Sequence, residues 1–216
     1  KFPAMQHLPA AHLLTRTSHR TSPPGRAAVS VMGEMALARA RVHELCGPAR
    51  RTLALGVARA LEGPVIWIAP AWHPDRLNGA ALPDWIDPGR LIFAQPNRPE
   101  DMLWTMEEGL RAGAVPLVVA DLPEPPAMTP VRRLHLAAET GAAEGTVAPL
   151  GLILTPGQGG AQGVESRWAL APRHGAEGRT GWELTRLRAR TAPQMRWRVS
   201  TAARGGLALG AAHAID

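Results

Sequence analysis

One cysteine, Cys46, among 216 residues excludes an internal disulfide framework and fits a reducing, cytoplasmic setting. Lysine is almost missing: Lys1 stands alone, so the positive charge is carried by arginine. Long apolar runs are absent as well. The two best, 65–71 and 115–120, fall far short of the ~20 residues a membrane-crossing helix needs, so no membrane association is expected. The first residues show no charged n-region followed by an apolar h-region, so no secretory leader is expected. The eight histidines are scattered and no second cysteine joins them, which excludes metal-ligand spacing. No G-x-S-x-G elbow occurs, and Cys46 has no evident His/Asn or His/Asp partners, so it reads as a small buried filler.

What is present is segregated charge. Residues 1–60 carry 9 basic and 2 acidic side chains, 61–160 carry 6 and 12, and 161–216 carry 9 and 4. Basic ends flanking an acidic middle fit contact with a polyanion or an acidic protein. They fit equally an Arg-for-Lys compositional bias, which the abundance of Ala, Gly and Pro supports.

The pattern along the chain predicts an α/β domain. Residues 1–36 read as an arm, Ser/Thr/Pro/Arg-rich over 15–26, followed by a short helix over 31–40 that leads into the core. Residues 37–200 form the domain and 201–216 a tail. Strands are expected at 41–45, 65–69, 90–95, 115–120 and 150–154, and helices at 49–61, from Pro99 to Gly113, and from Thr129-Pro130 to Gly141. Period-two stretches at 167–170, 182–187 and 196–199 read as strands at one sheet edge. Alternating strands and helices imply βαβ units and a mainly parallel sheet.

Arg41-Val-His-Glu-Leu-Cys-Gly47-Pro-Ala-Arg-Arg51-Thr52 has the order strand, turn, helix in which a phosphate loop, G-x-x-x-x-G-K-[ST], is carried. Gly47 and Thr52 match it. The interval is two residues short, the second Gly is missing, and Arg51 replaces Lys. Asp121, ending the run Val118-Val-Ala-Asp121, has the place of a magnesium-holding carboxylate. These four residues read as a vestige of a nucleotide site that retains a structural turn, with Asp121 capping the chain that follows. No cofactor is expected. The glycines of Gly157-Gln-Gly-Gly-Ala-Gln-Gly163 fail the dinucleotide-binding spacing and read as a mobile loop. Arg186, Arg188, Arg190, Arg196, Trp197 and Arg198 form the last candidate site: arginines beside tryptophan suit phosphate pairing with base stacking, or docking on an acidic protein, or simply an exposed strand pair.

Several segments carry a family resemblance: Arg41-Val-His-Glu-Leu-Cys-Gly-Pro, Val65-Ile-Trp-Ile-Ala-Pro, Pro99-Glu-Asp-Met-Leu-Trp-Thr-Met-Glu-Glu-Gly-Leu-Arg-Ala-Gly, Leu117-Val-Val-Ala-Asp, Thr129-Pro-Val-Arg-Arg-Leu-His-Leu-Ala-Ala-Glu and Glu165-Ser-Arg-Trp. Together they resemble the ImuA family of RecA-like inducible mutagenesis proteins over about residues 37–200. The resemblance implies a RecA-like fold with a degenerate phosphate loop. It also implies a non-enzymatic adaptor role in SOS-induced translesion synthesis. The implied partners are an inactive Y-family-like polymerase subunit, an error-prone replicative-type polymerase and RecA; DNA is an open alternative that only the Arg/Trp chemistry raises. A cell-division inhibitor of the same superfamily, a DNA-binding module and a weak ATPase are the alternatives.

Overall fold

The computed structural model describes residues 27–175, 180–190, 192–203 and 205–214. The arm expected before residue 27 lies outside them. The chain begins with a hairpin, β1 (Ala28–Met32) and β2 (Met35–Ala38), in place of the helix expected over 31–40. Gly33 sits at φ 47° in the two-residue turn, a left-handed conformation that glycine adopts at no steric cost and that stops a helix there. Val29, Met32, Met35 and Leu37 are buried from the hairpin's inner face.

β3 (Val42–Cys46) leads into α1 (Arg50–Arg59) and β4 (Val65–Ile68). β5 (Leu91–Ala94), α2 (Pro99–Arg111), β6 (Leu117–Asp121), α3 (Met128–Glu144) and β7 (Leu150–Leu154) follow. The chain then runs β8 (Ser166–Pro172), β9 (Gly181–Ala189), β10 (Met195–Thr201) and β11 (Leu207–Ala214). All but the hairpin join one nine-stranded sheet, ordered β11-β10-β9-β8-β3-β7-β6-β4-β5. From β8 to β5 the pairing is parallel; from β8 to β11 it is antiparallel. The stretch expected as a tail is therefore largely an edge strand, because Leu207 and Leu209 pack on the core beside β10.

β3, β6 and β7 are buried along their whole length, as expected of parallel strands covered on both faces. One face (Leu45, Trp67, Leu117, Val119, Leu152, Leu154) packs against α1 and the hairpin. The other (Val42, Ile68, Val118, Ala120, Ile153) packs against α2 and α3. That second core includes no residue of β9, β10 or β11, so among the described residues no helix layer covers the same face of the antiparallel extension.

α2 starts as expected, with Pro99 in its first turn and Glu100 and Asp101 at its positive end. α3 does not. Its N-cap is Ala127, not Thr129, and it runs through Gly141 to Glu144. Gly141 is a packing residue: a Cβ there would stand 2.0 Å from the Leu110 carbonyl oxygen, where α2 and α3 touch backbone to backbone.

Candidate functional site

The crossovers part at β3: α1 carries the chain past β7 and β6 to β4, while β8 pairs on β3's other side. Such a switch point opens a crevice at the strands' carboxyl ends, where open α/β sheets bind ligands. Gly47 sits there at φ 86°, between β3 and α1. A Cβ on it would stand 2.7 Å from the Leu170 carbonyl oxygen, so close approach to β8 demands glycine.

Three of the loop's N–H groups are already engaged. Gly47 N–H donates to Gly157 O (2.9 Å), Ala49 N–H to Leu170 O (3.0 Å) and Arg50 N–H to Gly47 O (3.3 Å), while Pro48 has no N–H. A phosphate cradle needs such amides turned toward the ligand. In front of the helix stands Asp121, only 5% exposed. Arg51 Nε donates to its Oδ2 at 2.5 Å, and Arg50 Nε lies 3.5 Å from its Oδ1. Two cations at a helix N-terminus oppose the macrodipole; the buried carboxylate offsets that cost and occupies both arginines. Asp121 is thus an ion-pair partner, not the turn cap its sequence position implied. The remaining cavity, about 140 Å³ and lined by Arg50, Arg51, Pro70, His73 and Asp121, is smaller than the ~300–1,000 Å³ of ordinary ligand pockets. The structure therefore unites Gly47, Arg51 and Asp121. Thr52 opens on a different cavity, of about 210 Å³, beside Leu55 and Leu82.

Behind this loop lies a network that sequence reading missed. Glu44 is fully buried. Its Oε1 accepts from Thr155 Oγ1 (2.6 Å), Gly160 N–H (2.8 Å) and Ala161 N–H (3.1 Å); its Oε2 accepts from Ala161 N–H (3.1 Å) and Arg167 Nε. The glycine-rich stretch after β7, expected to be mobile, is tied to β3 by these bonds. The only hint in the sequence was a charged residue inside an otherwise buried strand.

His43 is a second buried group. Its Nε2–H donates to Ala38 O (3.0 Å) and its Nδ1 accepts from Ser166 Oγ (2.7 Å), which itself accepts from Trp168 Nε1–H (2.9 Å). Burial, despite the Ala38 bond, lowers the His43 pKa from 6.5 to about 4. The unfolded chain then binds a proton below pH 6.5 that the native state refuses until about pH 4. Stability is full above pH 6.5 and falls by about 3 kcal/mol as pH drops to 4. His135, likewise lowered by burial, adds in the same direction. Urea midpoints measured from pH 7 to pH 4 should show this slope, and His43→Gln should flatten it. Burial also pushes the Cys46 thiol up to about 12, so it stays unreactive and acts as the core filler expected.

The Arg/Trp candidates divide. Trp197 is 1% exposed and Arg186 7%; the Arg186 guanidinium lies 5.0 Å from the Trp197 ring centroid and 5.6 Å from that of Trp168. Neither reaches the surface, so both leave the contact set. The β9 and β10 side chains alternate between faces, and these two point into the core. Arg188, Arg190, Arg196 and Arg198 are exposed. Arg190 pairs with Glu165 (3.2 Å) and Arg196 with Glu183 (3.4 Å). Among the described residues no cluster of His, Cys, Asp or Glu could hold a metal, and no helix is long and apolar enough to cross a membrane.

No family model and no curated protein matches the chain. Among solved structures it is similar to SulA from Pseudomonas aeruginosa, at 25% identity and a TM-score of 0.44, over 54% of this chain and 98% of that one. The sheet order and element sequence themselves define the class: a mixed α/β chain whose large sheet is flanked by helices. At that TM-score the likeness carries no statement about activity.

Proposed function

We propose that this chain is a non-catalytic RecA-like scaffold that serves as an adaptor in SOS-induced, error-prone translesion synthesis. In this reading it contacts the inactive Y-family-like polymerase subunit, the error-prone replicative-type polymerase and RecA. The observation that carries the non-catalytic part is the Arg51–Asp121 pair: a side chain of this protein neutralises the carboxylate that a magnesium–nucleotide complex would need. The adaptor part rests on the segments that resemble ImuA. It is supported by exposed apolar side chains on the edge strand β5 and on α2: Ile92, Phe93 and Trp104 are 51%, 51% and 60% exposed. Exposed aromatic and aliphatic groups of this size mark protein-docking surfaces.

The test is a tagged pull-down from DNA-damaged cells, with and without nuclease. Recovery of polymerase subunits or RecA that survives nuclease supports the adaptor. Recovery of DNA alone, lost on nuclease treatment, overturns it. In the same preparation millimolar Mg-ATP should leave Tm unchanged; a rise that Arg51→Ala abolishes would overturn the non-catalytic reading.

A further inference from the structure

The uncovered face of the antiparallel extension has a chemistry of its own. Between residues 166 and 214 the chain holds nine arginines and two acidic residues. The structure shows which of those charges are spent. Arg167 is consumed by Glu44 and Arg186 by the tryptophan core. Arg173 and Arg196 share the single carboxylate of Glu183, at 3.7 and 3.4 Å, so two cations face one anion and one positive charge is left over. Arg188 and Arg198 are exposed and make no ion pair among the described residues.

These charges share one face. Trp182, Leu184, Trp197 and Val199 point to the core, so Glu183, Thr185, Arg196, Arg198 and Ser200 point away from it. The register shift between Arg167 and Trp168 sets Arg188 opposite Arg167, whose side chain lies on that outer face with Glu44. Between the arginines the floor is small: Ala169, Ala171, Thr185, Ser200, Ala208 and Gly210. A trough of about 590 Å³ runs at one end, with Arg173 and Arg198 beside Ser200 and Gly210. Arg196 and Arg198, two strand steps apart, set their stems about 6.8 Å apart along the strand.

We infer that this face binds the phosphate backbone of nucleic acid, with Arg188, Arg196 and Arg198 as the phosphate contacts. Charge selects the occupant. Residues 1–26 carry four cations and no acid, so the protein's own N-terminal segment does not neutralise the face. A flat, small-residue floor rimmed by guanidinium forks fits a repeating phosphate strand. Trp168, Trp182 and Trp197 are all turned into the core, so the base stacking that was one alternative from the sequence is not available. Recognition is therefore through phosphates and indifferent to base sequence. The inference stands apart from the adaptor reading, since either can fail alone.

The experiment is fluorescence anisotropy of a labelled mixed-sequence duplex across a salt series, with polyglutamate as a competing acidic polymer. Three phosphate contacts predict a log–log slope of about −2.7, or about 40-fold weaker binding at 200 mM than at 50 mM salt. The triple variant Arg188→Ala, Arg196→Ala, Arg198→Ala should lose at least about tenfold at the low-salt end and most of the slope. Its Tm should stay unchanged, because the three side chains are exposed. Lysine at the same positions should keep both slope and affinity to within a few-fold. No duplex binding at low salt overturns the inference. So does binding that the triple variant leaves intact, or polyglutamate displacing duplex more effectively than unlabelled duplex does, which would assign the face to an acidic protein.

Discussion

Glu44→Ala is expected to remove about 3–5 kcal/mol of folding stability, read as a fall in the urea midpoint. Removing one partner of a buried ion pair leaves the other uncompensated, and here the deleted carboxylate also serves two backbone amides and a hydroxyl. Against a typical total of about 5–15 kcal/mol, the loss approaches the margin of folding. Glu44→Gln should lose less, since its carbonyl oxygen still accepts from Thr155 and Gly160, but its amide then faces the Ala161 N–H and the Arg167 guanidinium with donors of its own. The double variant Glu44→Ala, Arg167→Ala should be less unstable than the sum of the singles, because the orphaned guanidinium is gone. Additive losses would show that the pair contributes nothing beyond its two halves.

Gly141→Ala reverses the usual sign. In an exposed helix interior, alanine for glycine stabilises by about 1 kcal/mol. In α3 the added methyl would stand 2.0 Å from Leu110 O, with Gly113 N at 3.1 Å and Gly113 Cα at 3.2 Å. These are backbone atoms, so no rotamer change relieves the clash and the two helices must separate. The same contact recurs at Gly113 and Gly145, whose Cβ positions fall 2.2 Å from Gly141 O and 2.5 Å from Gly113 Cα. We expect a loss at the upper end of the ~1–3 kcal/mol typical of overpacking, measured by chemical denaturation. A neutral or stabilising result would mean that α2 and α3 pack less closely than described. Gly79, in a turn with open space where its Cβ would go, should tolerate alanine.

The elements legible in the sequence were those with a local cause. The apolar runs that become β4, β6 and β7 stood out because parallel strands covered on both faces need continuous hydrophobicity. α2 stood out because Pro99, Glu100 and Asp101 mark its start and Gly113 its end. The turn between β3 and α1 was legible from Gly47 at the strand end, but the Arg51–Asp121 pair across it was not. What local pattern missed had a cause elsewhere in the chain. The β1–β2 hairpin carries apolar residues that also suit a helix, and Gly33 decides for the turn. Gly141 resembles a stop signal and is instead a contact.

The sequence by itself determined an α/β alternation, a chain whose positive charge is almost wholly arginine, and a glycine turn between the first parallel strand and its helix. Only the tertiary structure decided what those arginines do. Arg51 meets a carboxylate 70 positions away, Arg167 one 123 positions away, and Arg186 two tryptophans in different strands. Arg188, Arg196 and Arg198 are left facing outward. The reason is physical: a guanidinium has the same charge in every setting, and whether it stabilises a core, blocks a crevice or awaits a polyanion depends on which acid or ring the fold brings within a few ångströms. Pairings across that many residues leave no mark on local spacing.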